Sequence, residues 1–207
     1  MDKKTRIAVF VSGGGTNLQA IIDAEKSGII KSGKTELVIS DNPEAYALER
    51  AKANGIKTAV VLKNNGQAKF EKKISEILAE NKIEMIILAG FMCILSADFT
   101  SKWPERIINI HPSLIPSFCG KGCYGLHVHE KALAYGVKVT GATVHFVNEI
   151  PDGGRIISQK AVYIEDGDTP ETLQRRVMEQ AEWILLPAAA EKVAGEIAEK
   201  GESYGHL

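Results

Sequence analysis

No stretch of this chain approaches the roughly 20 consecutive apolar residues that a helix needs to cross a bilayer. Neither charge is in excess: 25 Lys and Arg face 26 Asp and Glu, leaving a formal charge of −1. So even a balance gives no broad field for nucleic acid or an anionic membrane, so neither is expected as a partner and any anion site must be local. Cysteine is scarce, three in 207 residues. A small odd number argues against a disulfide framework and for a reducing, cytoplasmic setting. Met1–Arg6 lead straight into the strand-like Ile7–Val11, an apolar run too short for a signal peptide, with no small-residue cleavage site after it. Internal repeats and low-complexity segments are missing. The glycine-rich Ser12–Asn17 is neither G-x-G-x-x-G nor G-x-x-x-x-G-K-[ST], so neither a dinucleotide nor a nucleoside triphosphate is favoured there, and Ser113 lacks a nucleophile-elbow context, so serine hydrolysis is not favoured.

The apolar fraction of 44% and charged fraction of 25% are ordinary for a globular protein. Apolar β-branched runs at Ile7–Ser12, Glu36–Ser40, Thr58–Leu62, Met85–Leu88 and Arg106–Ile110 alternate with amphipathic stretches beginning near Thr16, Glu44, Gln67 and Ser96. Continuous apolar strands are those covered by helices on both faces. The expectation is an α/β fold: a doubly wound, mostly parallel twisted sheet with a C-terminal antiparallel hairpin extension. That hairpin joins Lys138–Val147 to Arg155–Tyr163 through Pro151-Asp152-Gly153-Gly154. Thr169-Pro170-Glu171 signals a helix start, and the stretch to about Lys200 is expected to bend near Pro187. Residues 1–207 read as a single domain, with 201–207 expected to fray.

Three places carry candidate chemistry. Asn109-Ile110-His111-Pro112-Ser113 ends a strand, and proline keeps His111 extended, at the strand ends where open α/β sheets bind ligands. Asp152 either hydrogen-bonds its own turn or meets His111 across the crevice, where a carboxylate would raise the imidazole pKa. Asn109 would add an amide donor for a developing oxyanion, and His145 either joins this site or merely packs. Ser12-Gly13-Gly14-Gly15-Thr16-Asn17 lies between the first strand and first helix. It is either a tight turn capped by Thr16 or a phosphate seat made of backbone N–H groups at a helix start. Cys119, Cys123, His127 and His129 offer two thiolates and two imidazoles, a zinc shell in kind. Their crowding favours instead a glycine-rich loop with incidental thiols, and no metal is assigned.

With these residues in view, Ser12–Ile21, Leu88–Ser96, Asn109–Pro116 and His145–Gly154 resemble the phosphoribosylglycinamide formyltransferases, folate-dependent enzymes of purine synthesis, over almost the whole chain. The resemblance implies transfer of a formyl group from 10-formyltetrahydrofolate, a co-substrate rather than a resident cofactor, to the amine of glycinamide ribonucleotide. It implies a catalytic trio of Asn109, His111 and Asp152, with substrate phosphate on Gly15, Thr16 and Asn17. Folate would lie against Met92, Cys93, Ile94, Leu95, Asn109, Asn148 and Asp152, and Glu182 would contact the ribotide. The partners implied are these two small molecules, in a monomer or homodimer. Three departures stand out: Cys93 replaces the usual arginine, Gln67 stands near another, with Lys69 a candidate substitute, and the loop Ser117–Tyr124 is longer and cysteine-rich. A formyltetrahydrofolate hydrolase, releasing formate without an acceptor, and a non-catalytic folate or phosphosugar-binding module are the competing readings.

Overall fold

Alternation along the first strand organises the molecule. In the computed structural model, which describes residues 3–203, β1 (Thr5–Val11) sends Ile7, Val9 and Val11 into one apolar core and Ala8 and Phe10 into a second. A strand apolar on both faces needs cover on both, and receives it. Helices α1 (Thr16–Ser27) and α2 (Tyr46–Ala53) pack into the first core. Helix α3 (Gln67–Glu80) and the single turn α4 (Ala97–Thr100) close the second through Phe70, Ile74, Leu78 and Phe99.

Around β1 lie β2 (Gly33–Ser40), β3 (Lys57–Val60), β4 (Met85–Leu88) and β5 (Ile107–His111), all parallel. After α5 (Leu126–Tyr135) come β6 (Val139–Phe146) and β7 (Ile156–Tyr163), antiparallel to β5 and to each other. The spatial order is β3-β2-β1-β4-β5-β6-β7. The doubly wound sheet and its antiparallel extension are therefore present. Pairing of Asn109 with His145 and of His111 with Thr143 fixes which side chains of β5 and β6 face one another.

The C-terminal stretch differs from expectation. Thr169 caps α6 (Pro170–Val177) in a reciprocal box with Thr172, as its Thr-Pro-Glu start implies. A π-helical turn over Met178–Glu182, which the sequence reading did not anticipate, precedes α7 (Trp183–Ser203), and Pro187 sits inside α7. One inserted residue rotates the next turn and leaves Glu182 buried. Helix α7 reaches Ser203, past Lys200; the remainder of the segment expected to fray, residues 204–207, lies outside the described residues. Among the described residues, no helix is long and apolar enough to cross a membrane.

Candidate active site

Strand β5 delivers His111 to the carboxyl end of the sheet, where it is buried. Its Nε2 lies 3.0 Å from Phe118 O. A carbonyl only accepts, so Nε2 carries the proton. The other nitrogen, Nδ1, faces Asp152 Oδ2 at 3.6 Å. Sequence reasoning expects the carboxylate to raise the His111 pKa, but burial dominates and lowers it, with Asp152 and Phe118 only partly offsetting that effect. With its pKa lowered from 6.5, His111 is chiefly a neutral imidazole near pH 7.

Asp152 occupies the connection between β6 and β7 at φ 56°, the left-handed region that aspartate tolerates better than most side chains. Gly154 allows the turn, since a Cβ there would strike Phe146 O. The Asp152 carboxylate accepts from Gly120 N–H at 2.8 Å and stands 3.6 Å from His145 Nε2. Burial works to raise its pKa, but His145, His111 and the Gly120 N–H outweigh it and hold it below the ordinary range.

His145 joins the site rather than merely packing. Its Nδ1 donates to Phe146 O at 2.7 Å, so in the neutral ring Nε2 accepts from Asn109 Nδ2 at 3.1 Å. One amide hydrogen of Asn109 is thereby committed and the other left for the cleft. The structure thus brings Asn109 and His111, both on β5, together with Asp152 from the distant connection between β6 and β7. Two partners that hold them, the Phe118 carbonyl and the Gly120 N–H, are main-chain groups of an irregular loop and have no signature in residue identity.

The glycine loop is built with its carbonyls turned away. Ser12 O accepts from Asn42 Nδ2 (3.2 Å), Gly13 O from Ala47 N–H (3.0 Å) and Gly14 O from Arg50 Nε (2.8 Å). Gly15 takes φ 73°, and a Cβ on it would lie 2.6 Å from Ala47 Cβ. Thr16 is not the cap: Gly15 is, with no side-chain hydrogen bond, and Thr16 Oγ1 instead faces Met178 Sδ at 3.7 Å. The first N–H groups of α1 therefore have neither helical nor side-chain acceptors. Below them Asn17 Nδ2 donates to Glu182 Oε2 at 2.6 Å, while Asn17 Oδ1 is buried without a partner. Burial pushes the Glu182 carboxyl up to about 7, against the pull of Asn17.

Between trio and loop lies a cleft of about 640 Å³ whose lining includes Asn17, Met92, Cys93, Ile94, Asp152 and Glu182. Met92 and Ile94 are exposed, whereas the Leu95 side chain belongs to the second core. Asn148 does not line the cleft; its Oδ1 accepts from Ile150 N–H at 3.0 Å. Cys93 donates to Asp41 Oδ2 at 3.1 Å, and burial followed by Asp41 pushes its thiol up to about 11. Gln67 donates to Ile94 O at 3.0 Å, tying α3 to this wall, while Lys69 lines a separate surface pocket. Glu71 anchors the same wall by accepting from Ser96 N–H at 2.6 Å and from Ser96 Oγ. The zinc candidates do not converge: Cys123 meets Lys131, His127 meets Glu130, and both ring nitrogens of the buried His129 lack partners. Among the described residues no group of three His, Cys, Asp or Glu side chains is placed to hold a metal.

Comparison with known proteins places this geometry. A family model described as formyl transferase matches residues 5–189. The chain is 42% identical over 184 residues to the phosphoribosylglycinamide formyltransferase of Haemophilus influenzae, covering 88% of this chain and 84% of that one. It is 43% identical over 203 residues to the human trifunctional purine biosynthetic protein adenosine-3, covering 97% of this chain but only 19% of that longer protein. The crystal structure of glycinamide ribonucleotide transformylase 1 from Symbiobacterium toebii superposes with a TM-score of 0.86 at 39% identity, covering 93% of this chain and 89% of that one.

Proposed function

The chain belongs to the formyl transferase family, and on that premise we propose that it transfers the formyl group of 10-formyltetrahydrofolate to the amine of glycinamide ribonucleotide. The observation that carries this reading is the convergence of Asn109, His111 and Asp152 on one cleft beside the uncapped start of α1.

The ribotide phosphate sits on the N–H groups of Gly15, Thr16 and Asn17, where tied-back carbonyls leave a positive helix end. Glu182, half-protonated near neutrality, offers the ribose hydroxyls both a donor and an acceptor. Formyl folate lies along Met92, Cys93 and Ile94, with Leu95 contributing main chain only and the loop of Asn148 and Asp152 at the far edge. The glycinamide nitrogen then attacks the formyl carbon. The free amide hydrogen of Asn109 stabilises the oxygen of the tetrahedral intermediate. Neutral His111 takes the proton released by the amine on Nδ1, becoming an imidazolium that Asp152 stabilises, and returns it to the departing folate nitrogen. Holding two substrates in register supplies much of the rate. No resident cofactor enters any step, and three free thiols suit a cytoplasmic enzyme.

The test is to incubate the protein with both substrates and follow deformylated folate optically. Its appearance only when the ribotide is present, matched by formylated ribotide, is the expected result. Formate released without the ribotide would replace the transferase by a hydrolase, and an unchanged spectrum would leave a binding module.

A further inference from the structure

The loop over the cleft carries two thiols that formyl transfer leaves without a task. Cys119 and Cys123 bracket Cys-Gly-Lys-Gly-Cys, and both are half-buried and unoxidised. Gly120 and Gly122 take φ of 80° and 78°, left-handed geometry that curls the segment and calls for glycine. The turn is closed by Cys123 N–H on Gly120 O at 3.0 Å. The two thiols stand four positions apart across this turn. They are also unequal. Lys131 donates to Cys123 Sγ at 3.1 Å and to Gly122 O at 2.8 Å, which sets a cation against that sulfur. Cys119 instead donates to Pro116 O at 3.3 Å, and burial with nearby Asp152 pushes its thiol up.

We propose that Cys119 and Cys123 are a thiol–disulfide exchange site whose closure to an intraloop disulfide releases the loop from His111 and Asp152. The oxidant is a low-molecular-weight disulfide. The Cys123 thiolate attacks one of its sulfurs, the external S–S bond breaks and one thiol leaves. The Cys119 sulfur then attacks the mixed disulfide at Cys123 and displaces the second thiol. Two protein S–H groups are oxidised, one external disulfide is reduced, and their two protons end on the departing thiols.

Closure acts on the site because the main chain on either side of Cys119 is what the catalytic groups hold. Gly120 N–H binds Asp152, and Phe118 O, one residue before Cys119, binds His111. Drawing Sγ of Cys119 away from Pro116 O and Sγ of Cys123 away from Lys131 turns Gly120. The disulfide itself is independent of the formyl-transfer reading; its effect on rate rests on that reading.

The experiment incubates the whole protein with oxidised glutathione, counts free thiols, maps the linked peptide and measures formyl transfer. Free thiols should fall from three to one, with Cys119 joined to Cys123 and Cys93 still free. Transfer should fall by about tenfold or more, as expected when catalytic groups shift by about 1 Å, and recover with dithiothreitol. In Cys119→Ser the reaction should stop at a stable glutathione adduct on Cys123. Three persistent thiols, or an adduct on Cys93 alone, would overturn the exchange site. A formed disulfide with unchanged transfer would overturn the coupling to His111 and Asp152. A reduced protein with no transfer at all, yet still forming the disulfide, would refute the formyl-transfer reading and leave the exchange site standing.

Discussion

His111 is a base by default, because burial outweighs the carboxylate beside it. Replacing it with alanine removes the proposed proton carrier but leaves the glycine loop untouched. His111→Ala should lower kcat by about 10²–10⁴ with ribotide affinity by calorimetry nearly unchanged; near-normal turnover would remove His111 from its role. The sign of the pH dependence follows from the same shift. Since its pKa lies below 6.5, kcat/KM should hold as pH passes down through 6.5 and fall only at more acid values. A rate that instead rises as pH falls, with its loss on the basic side, would mean that an imidazolium, not an imidazole, begins the reaction. Gly15 makes a separate case, through backbone. Gly15→Ala meets both the left-handed φ and the Ala47 contact, and should cost about 1–3 kcal/mol of stability. Calorimetry should show weaker ribotide binding while folate binding is spared.

Helix α3 shows what an element contributes to a site it does not enter. Its Glu71 holds Ser96, and its Gln67 holds Ile94 O, so one helix face ties the C-terminal half of the wall at residues 91–96. Glu71→Ala should lower stability by about 1–3 kcal/mol and raise the KM for formyl folate severalfold, with the KM for ribotide unmoved. A parallel rise in both constants would mean that the wall serves the whole cleft. Elements of this kind also mark the limit of what could be read from the chain. The apolar run around Val9 and the Thr169-Pro170 cap declare strand and helix because burial and capping are encoded by residue type. Met178–Glu182 does not declare a π turn, since the inserted residue is accommodated by packing of Ala181 and Glu182 rather than by any local propensity. Pro187 is the visible signal in this stretch, and it lies inside α7. Likewise Asn109, His111 and Asp152 were legible as chemistry, while Phe118 O and Gly120 N–H were not, because any residue supplies a carbonyl or an amide.

At the scale of the molecule, two buried ionisable groups on different elements pull stability in opposite directions with pH. His129 on α5 is fully buried without partners, and burial, with His111 adding to it, takes its pKa from 6.5 to about 4. Its contribution is complete above 6.5 and is lost as pH falls through 4. Glu182 at the π turn goes the other way, from 4.5 to about 7, so its contribution is complete below 4.5 and is lost as pH rises through 7. Each shift corresponds to about 3 kcal/mol across its window. Between 4.5 and 6.5 the slopes cancel, so the wild-type unfolding free energy should be nearly flat there with respect to these groups. Removing either group should expose the other. His129→Leu should lose stability as pH rises from 4.5 to 7, and Glu182→Gln should lose it as pH falls from 6.5 to 4. Denaturant unfolding across that range reads both slopes, and two variants that track the wild type in parallel would show that neither group carries its charge change into folding.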